Sequence, residues 1–138
     1  MKALYFEQHG ELDVVKYGDV PDPEPGPGEV LIRVRACALN FLDIWVRRGW
    51  PGLNLEMPHW CGADAAGEIA GIGPDVSGWQ VGQRVVVDPG INLSEDEYSR
   101  RGEDSVSPAY HILGEHMRGG AAEYLKVPIG NLAALPEA

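Results

Sequence analysis

Between Val30 and Ala36 the apolar residues Val30, Ile32, Val34 and Ala36 alternate with Leu31, Arg33 and Arg35. That period of two predicts a strand with one buried face. At Asn40 the pattern changes. Phe41, Ile44, Trp45 and Arg48, with Leu42 and Val46 beside them, fit a short helix that Gly49 ends as a left-handed cap. Asn40 stands at the N-cap of that helix, and Asp43, three residues on, completes a capping-box pattern and complements the helix dipole. Before this stretch, residues 2–6 and 12–20 read as strands. After it, residues 50–59 read as a loop, and 60–73 as an extended run whose glycines mark bulges or close backbone approach. Val81–Asp88 reads as a turn and a buried strand, and Gly119–Pro128 as a further strand.

Two segments have no such period. Pro21–Gly28 is too rich in proline for helix or sheet and reads as a stiff surface connection rather than a proline-rich recognition motif. Residues 89–108 are almost wholly polar from Ser94 to Ser105. An irregular excursion of that length is unusual in a compact domain, and its composition offers little apolar burial, so mobility is expected.

Composition narrows the picture. The chain has 138 residues, 44% of them hydrophobic, which is enough for one domain with a real core. Its 18 glycines and 11 prolines favour turns and short strands, hence a mainly β fold with short helices. The net charge of −10 argues against nucleic acid and against an anionic membrane as partners. No apolar run reaches the ~18 residues of a membrane span, and Met1–Phe6 reads as a strand rather than a signal, so a cytoplasmic protein is expected. Cys37 and Cys61 follow no metal spacing.

Five pieces taken together resemble the N-terminal, GroES-like catalytic domain of the medium-chain dehydrogenase/reductase family, which includes zinc-type alcohol dehydrogenases and quinone oxidoreductases. They are Pro-Gly-Glu-Val-Leu-Ile-Arg-Val at 27–34, Leu-Asn-Phe-Leu-Asp at 39–43, Cys-Gly-Ala-Asp-Ala-Ala-Gly at 61–67, Val-Gly-Gln-Arg-Val at 81–85 and Gly-Gly-Ala-Ala-Glu-Tyr at 119–124. The resemblance implies a GroES-like, partly open β-barrel over residues 1–130. Residues 131–138 would then begin the connection to a Rossmann domain that binds NAD or NADP. No Gly-x-Gly-x-x-Gly opens a helix in this sequence, so the chain reads as the first part of a longer protein and is expected to bind no dinucleotide by itself. The face that would pack on the Rossmann domain should be apolar and prone to self-association.

The same resemblance locates the zinc ligands of zinc-dependent relatives. The catalytic ligands correspond to Asn40 and Ala63, the latter in the Gly62-Ala63-Asp64 triplet, with a third from beyond this chain. The four ligands of the structural zinc correspond to Leu93, Asp96, Ser99 and Ser107. An amide oxygen, an alanine, a leucine and two hydroxyls make poor zinc sites, so no metal is expected at either. A rival set of His59, Cys61, Asp64 and His111 or His116 has no spacing rule behind it.

What remains resembles quinone oxidoreductases and related enone reductases. There the nicotinamide supplies hydride, and the protein supplies orientation, a dry pocket and a hydrogen-bond donor to a carbonyl, enone or quinone substrate. Asn40 and Asp43 are the expected catalytic residues, with Asn40 also on the nicotinamide side. Phe41, Trp45, Trp50, Trp60, Ala63 and Asp64 are the expected pocket residues. Two other readings stand beside this one: an alcohol dehydrogenase-like enzyme that has lost its metal ligands, and a non-enzymatic barrel module.

Overall fold

The computed structural model describes residues 1–136. Its centre is a five-stranded antiparallel sheet, curled into a half-barrel, in the order β8-β3-β4-β5-β9. These strands are β3 (Glu29–Cys37), β4 (Ala65–Ile72), β5 (Arg84–Val87), β8 (Tyr124–Pro128) and β9 (Leu132–Ala134). Two small antiparallel pairs flank it: β1 (Lys2–Tyr5) with β2 (Lys16–Asp19), and β6 (Gly90–Asn92) with β7 (Tyr110–Ile112). One helix, α1 (Phe41–Arg48), follows β3. Among the described residues no helix is long and apolar enough to cross a membrane.

The alternation in β3 holds as far as Val34. Val30 and Ile32 are fully buried and face Ile69, Val85, Leu125 and Val127 across the core. The register against β4 then shifts between Val34 and Ala36. A bulge of this kind moves the inward phase by one residue. Ala36 is therefore exposed, and Cys37 points inward beside the glycine corners. The expected glycine contacts are present. A Cβ built on Gly67 would lie 2.1 Å from the Arg33 carbonyl oxygen, and one on Gly73 2.0 Å from that of Gly26.

Three expectations change. The strand foreseen over 12–20 begins at Lys16; Leu12–Val14 is a 3₁₀ turn. Residues 10–11 are tied to the end of α1, through Gly10 N–H to the Arg47 carbonyl (3.0 Å) and Glu11 to Arg48 (3.0 Å), so the chain must turn there. Residues 132–134, expected in a connection outside the barrel, pair with β5 as its outermost neighbour; residues 137–138 lie outside the described residues. The polar excursion is not structureless. It begins and ends on the β6–β7 pair, with 3₁₀ turns at Ser99–Arg101 and Asp104–Val106 between.

Candidate active site

Three loops meet at the N-terminus of α1. Asp43 joins two of them. Its Oδ2 accepts the Asn40 N–H (2.6 Å), closing the capping box from the carboxylate side. Its Oδ1 accepts the Gly62 N–H (3.0 Å). The Ala38 N–H donates to the Asp64 carbonyl (3.0 Å), and the Asn40 side-chain Nδ2 donates to Asp64 Oδ2 (2.9 Å). The third loop is laced on through the N–H groups of Gly119, Gly120 and Ala121, which donate to the carbonyls of Trp60, Gly62 and Cys61 (2.8, 2.7 and 3.0 Å). Gly62 has φ +101°, and a Cβ there would meet Cys37 Sγ at 2.6 Å. Only glycine fits that corner without strain.

Beside this junction lies a mostly apolar cavity of about 420 Å³. Leu4, Phe6, Leu12 and Val15 of the N-terminal arm form one wall; Leu39, Phe41 and Ile44 form the other. Asn40, Asp43 and Arg47 are its polar members. Leu39 and Phe41, 86% and 74% exposed, leave its rim bare.

Of the residues expected here, Asn40, Phe41 and Asp43 line the cavity. Asp43 has both carboxylate oxygens committed to backbone N–H groups. Asp64 is exposed and reaches the site through Asn40. The other expected residues are displaced. Ala63 is buried and does not line the cavity. Trp60 is buried with Ala3 and Val20, its ring covered by the Arg118 guanidinium 4.8 Å from the centroid. It lines a second cavity, of about 390 Å³. Trp45 lies on the outer side of α1, one turn from Phe41 (centroids 6.3 Å apart), and Trp50 lies beyond Gly49.

Arg47 was missed. It is 7% exposed, donates through Nη1 to the Gly10 carbonyl, and has the Glu11 carboxylate at 3.7 Å. Helical spacing was the available signal, since Asn40, Asp43, Ile44 and Arg47 recur on one face at intervals of three and four.

Among the described residues no group of three or more His, Cys, Asp or Glu side chains is placed to hold an ion. The His59 ring, fully buried, meets the Gly114 carbonyl (3.2 Å), and burial holds it below the usual histidine range, hence neutral. Cys61 Sγ turns to the Asp43 carbonyl (3.7 Å), and burial, reinforced by the Asp43 charge, pushes its thiol up to about 12. Cys37 is raised for the same reasons, burial first, then Asp43 and Asp64. Both thiols therefore sit in surroundings that oppose the thiolate a metal or an electrophile requires.

The family profile described as "Alcohol dehydrogenase GroES-like domain" matches residues 26–137. The L-threonine 3-dehydrogenase of Ruegeria pomeroyi is 34% identical over 85% of this chain, and the quinone oxidoreductase of Pseudomonas aeruginosa is 40% identical over 61%. The chain spans 35% and 26% of their respective lengths. Among solved structures, an NAD-dependent alcohol dehydrogenase superposes with a TM-score of 0.93 at 44% identity, covering 97% of this chain and 39% of that one. A thermostable alcohol dehydrogenase from Pyrobaculum aerophilum gives 0.90 at 35% identity, covering 100% and 41%. The strand order, the glycine-laced corner under α1 and the matched residues together place this chain in the family of alcohol dehydrogenase GroES-like domains, within the medium-chain dehydrogenase/reductases.

Proposed function

We propose that the chain is the substrate-side part of an NAD(P)H-dependent, zinc-independent reductase of the quinone oxidoreductase type, acting on an enone, quinone or related carbonyl compound. One observation carries this reading: where a zinc enzyme needs converging donors, this chain presents Asn40 and Asp64 bonded to each other and a buried Ala63. A nicotinamide bound by a partner domain supplies the hydride. The residues of this chain do the rest. Phe41, Leu39, Leu12 and Val15 exclude water from one side of the substrate, and Asn40 offers an amide N–H to the oxygen that gains negative charge. Asp64 holds that amide in place, and Asp43 holds the loops that carry both.

A second reading has its own support. Relatives named L-threonine 3-dehydrogenase recur among the most similar proteins, and the solved structures include a cobalt- and zinc-bound alcohol dehydrogenase. An enzyme oxidising alcohols or threonine would need another means of polarising the hydroxyl. Steady-state assays of the intact protein separate the two. With NADH or NADPH it is expected to reduce an enone such as methyl vinyl ketone, or a benzoquinone. Asn40→Ala is expected to lower the rate by roughly two orders of magnitude, the scale of a lost oxyanion donor. Efficient oxidation of threonine or simple alcohols, indifferent to Asn40, would favour the second reading.

A further inference from the structure

The family resemblance puts the structural zinc of zinc-dependent relatives in the excursion after β6, where this chain carries Leu93, Asp96, Ser99 and Ser107. Three of the four positions that correspond to structural zinc ligands in relatives have instead closed on one another. Asp96 Oδ1 accepts the N–H groups of Tyr98 and Ser99, both at 2.9 Å. Its Oδ2 accepts the Ser107 hydroxyl at 2.6 Å, across eleven residues of sequence. Ser99 Oγ accepts the Asp96 N–H (2.9 Å) and lies 3.2 Å from the Asp96 carbonyl, to which its own proton is directed. Ser107 Oγ accepts the Ala109 N–H (3.0 Å), so the knot reaches the residue before β7. The fourth position, Leu93, is 57% exposed and stands outside.

Burial follows the same centre. Ser107 is the one buried residue between Asn92 and Ile112. At the surface Arg100 pairs with Glu95 (2.7 Å) and Arg101 with Glu103 (3.3 Å), and Asp104 accepts the Asn92 amide (2.6 Å). No apolar cluster lies within the excursion to hold it shut. A carboxylate that accepts three donors at once supplies a many-armed tie of the kind an ion would otherwise give.

We propose that Asp96 is an ion-free latch: its carboxylate, clasped by Ser99 and Ser107, holds the 93–109 excursion closed where relatives use a bound metal. The excursion then needs no metal to keep its shape and opens when this one side chain is removed.

Arg100 and Arg101 place trypsin sites inside the latched segment, and exposed Lys16 provides a reference site outside it. Limited trypsinolysis of the purified protein reads the opening. Asp96→Ala is expected to raise cleavage at 100–101 at least about tenfold, because cleavage tracks the population of the open form. Asp96→Asn, which keeps one oxygen for the Tyr98 and Ser99 amides, is expected to fall between, as is Ser107→Ala. Chelator is expected to leave the wild-type rate unchanged. The proposal is overturned if Asp96→Ala and Ser107→Ala are cut like wild type, if Lys16 is exposed to the same degree as 100–101, or if chelator alone opens the wild-type segment. Ser107→Ala removes one arm only, so it decides the matter even if Asp96→Ala does not fold.

Discussion

Gly67→Ala is expected to cost more than about 3 kcal/mol, at or beyond the upper end of ordinary overpacking. Gly67 lies in β4, with β3 on one side and β5 on the other, opposite Val34 and Val85. Its missing side chain makes room for the Arg33 carbonyl oxygen, 2.1 Å from where a Cβ would be, and for Ile32 Cγ2 at 2.8 Å. The first obstacle is backbone in the middle of a sheet, held by ladders on both sides, so no rotamer change relieves it. Domains of this size are stable by about 5–15 kcal/mol, and each kcal/mol moves Tm by roughly 3–6 °C at this length. Loss of at least about 10 °C in a thermal melt, or failure to fold, is the expected result. Gly130→Ala is the control: a Cβ there meets nothing within 4 Å, and no change in Tm is expected. Equal melts for the two variants would show that the β3–β4 contact is looser than described.

Asp43→Ala carries the second large effect. It removes the acceptor of the Asn40 N–H and of the partly buried Gly62 N–H together. Loss of a cap costs about 0.5–2 kcal/mol, and loss of a hydrogen bond to a charged group about 1.5–3. The two overlap in one side chain, so about 2–4 kcal/mol is expected from urea denaturation. Asp43→Asn keeps one oxygen and should lose about half as much. Activity should fall with stability, because the loops carrying Asn40 and Asp64 are released together. A general acid or base at this position would show the opposite split: activity lost from Asp43→Asn, with the urea midpoint unchanged.

The places of β1, β3, β4, β5, β8 and α1 along the chain can be read directly from the residues, whereas the sheet order and the short strands β6, β7 and β9 cannot. β3 and α1 show because their periods of two and 3.6 differ and Asn40 marks the joint. The glycines of β4 show because nothing else explains small residues inside a strand. The bulge at Val34–Ala36 did not, since an alternating pattern carries no sign of where it skips a residue. The Leu12–Val14 turn was hidden for a different reason: its residues look strand-like, and the turn is imposed by contacts between residues 9–11 and the end of α1. The tryptophans are ambiguous in the sequence because an aromatic ring suits a pocket wall and a core equally. Trp60 is held in the interior by a partner distant in the chain, Arg118. The knot around Asp96 was hidden by its own composition: serine and aspartate read as solvated loop whether they face water or one another.

The proposed metal-free character of the Asn40 site is the central claim, and the zinc content of the intact protein tests it most directly. After equilibration with zinc and exhaustive dialysis, elemental analysis is predicted to find no stoichiometric zinc, with reduction of the enone unchanged by chelator. One retained zinc per chain, lost together with activity on chelation or in Asp64→Ala, would contradict it.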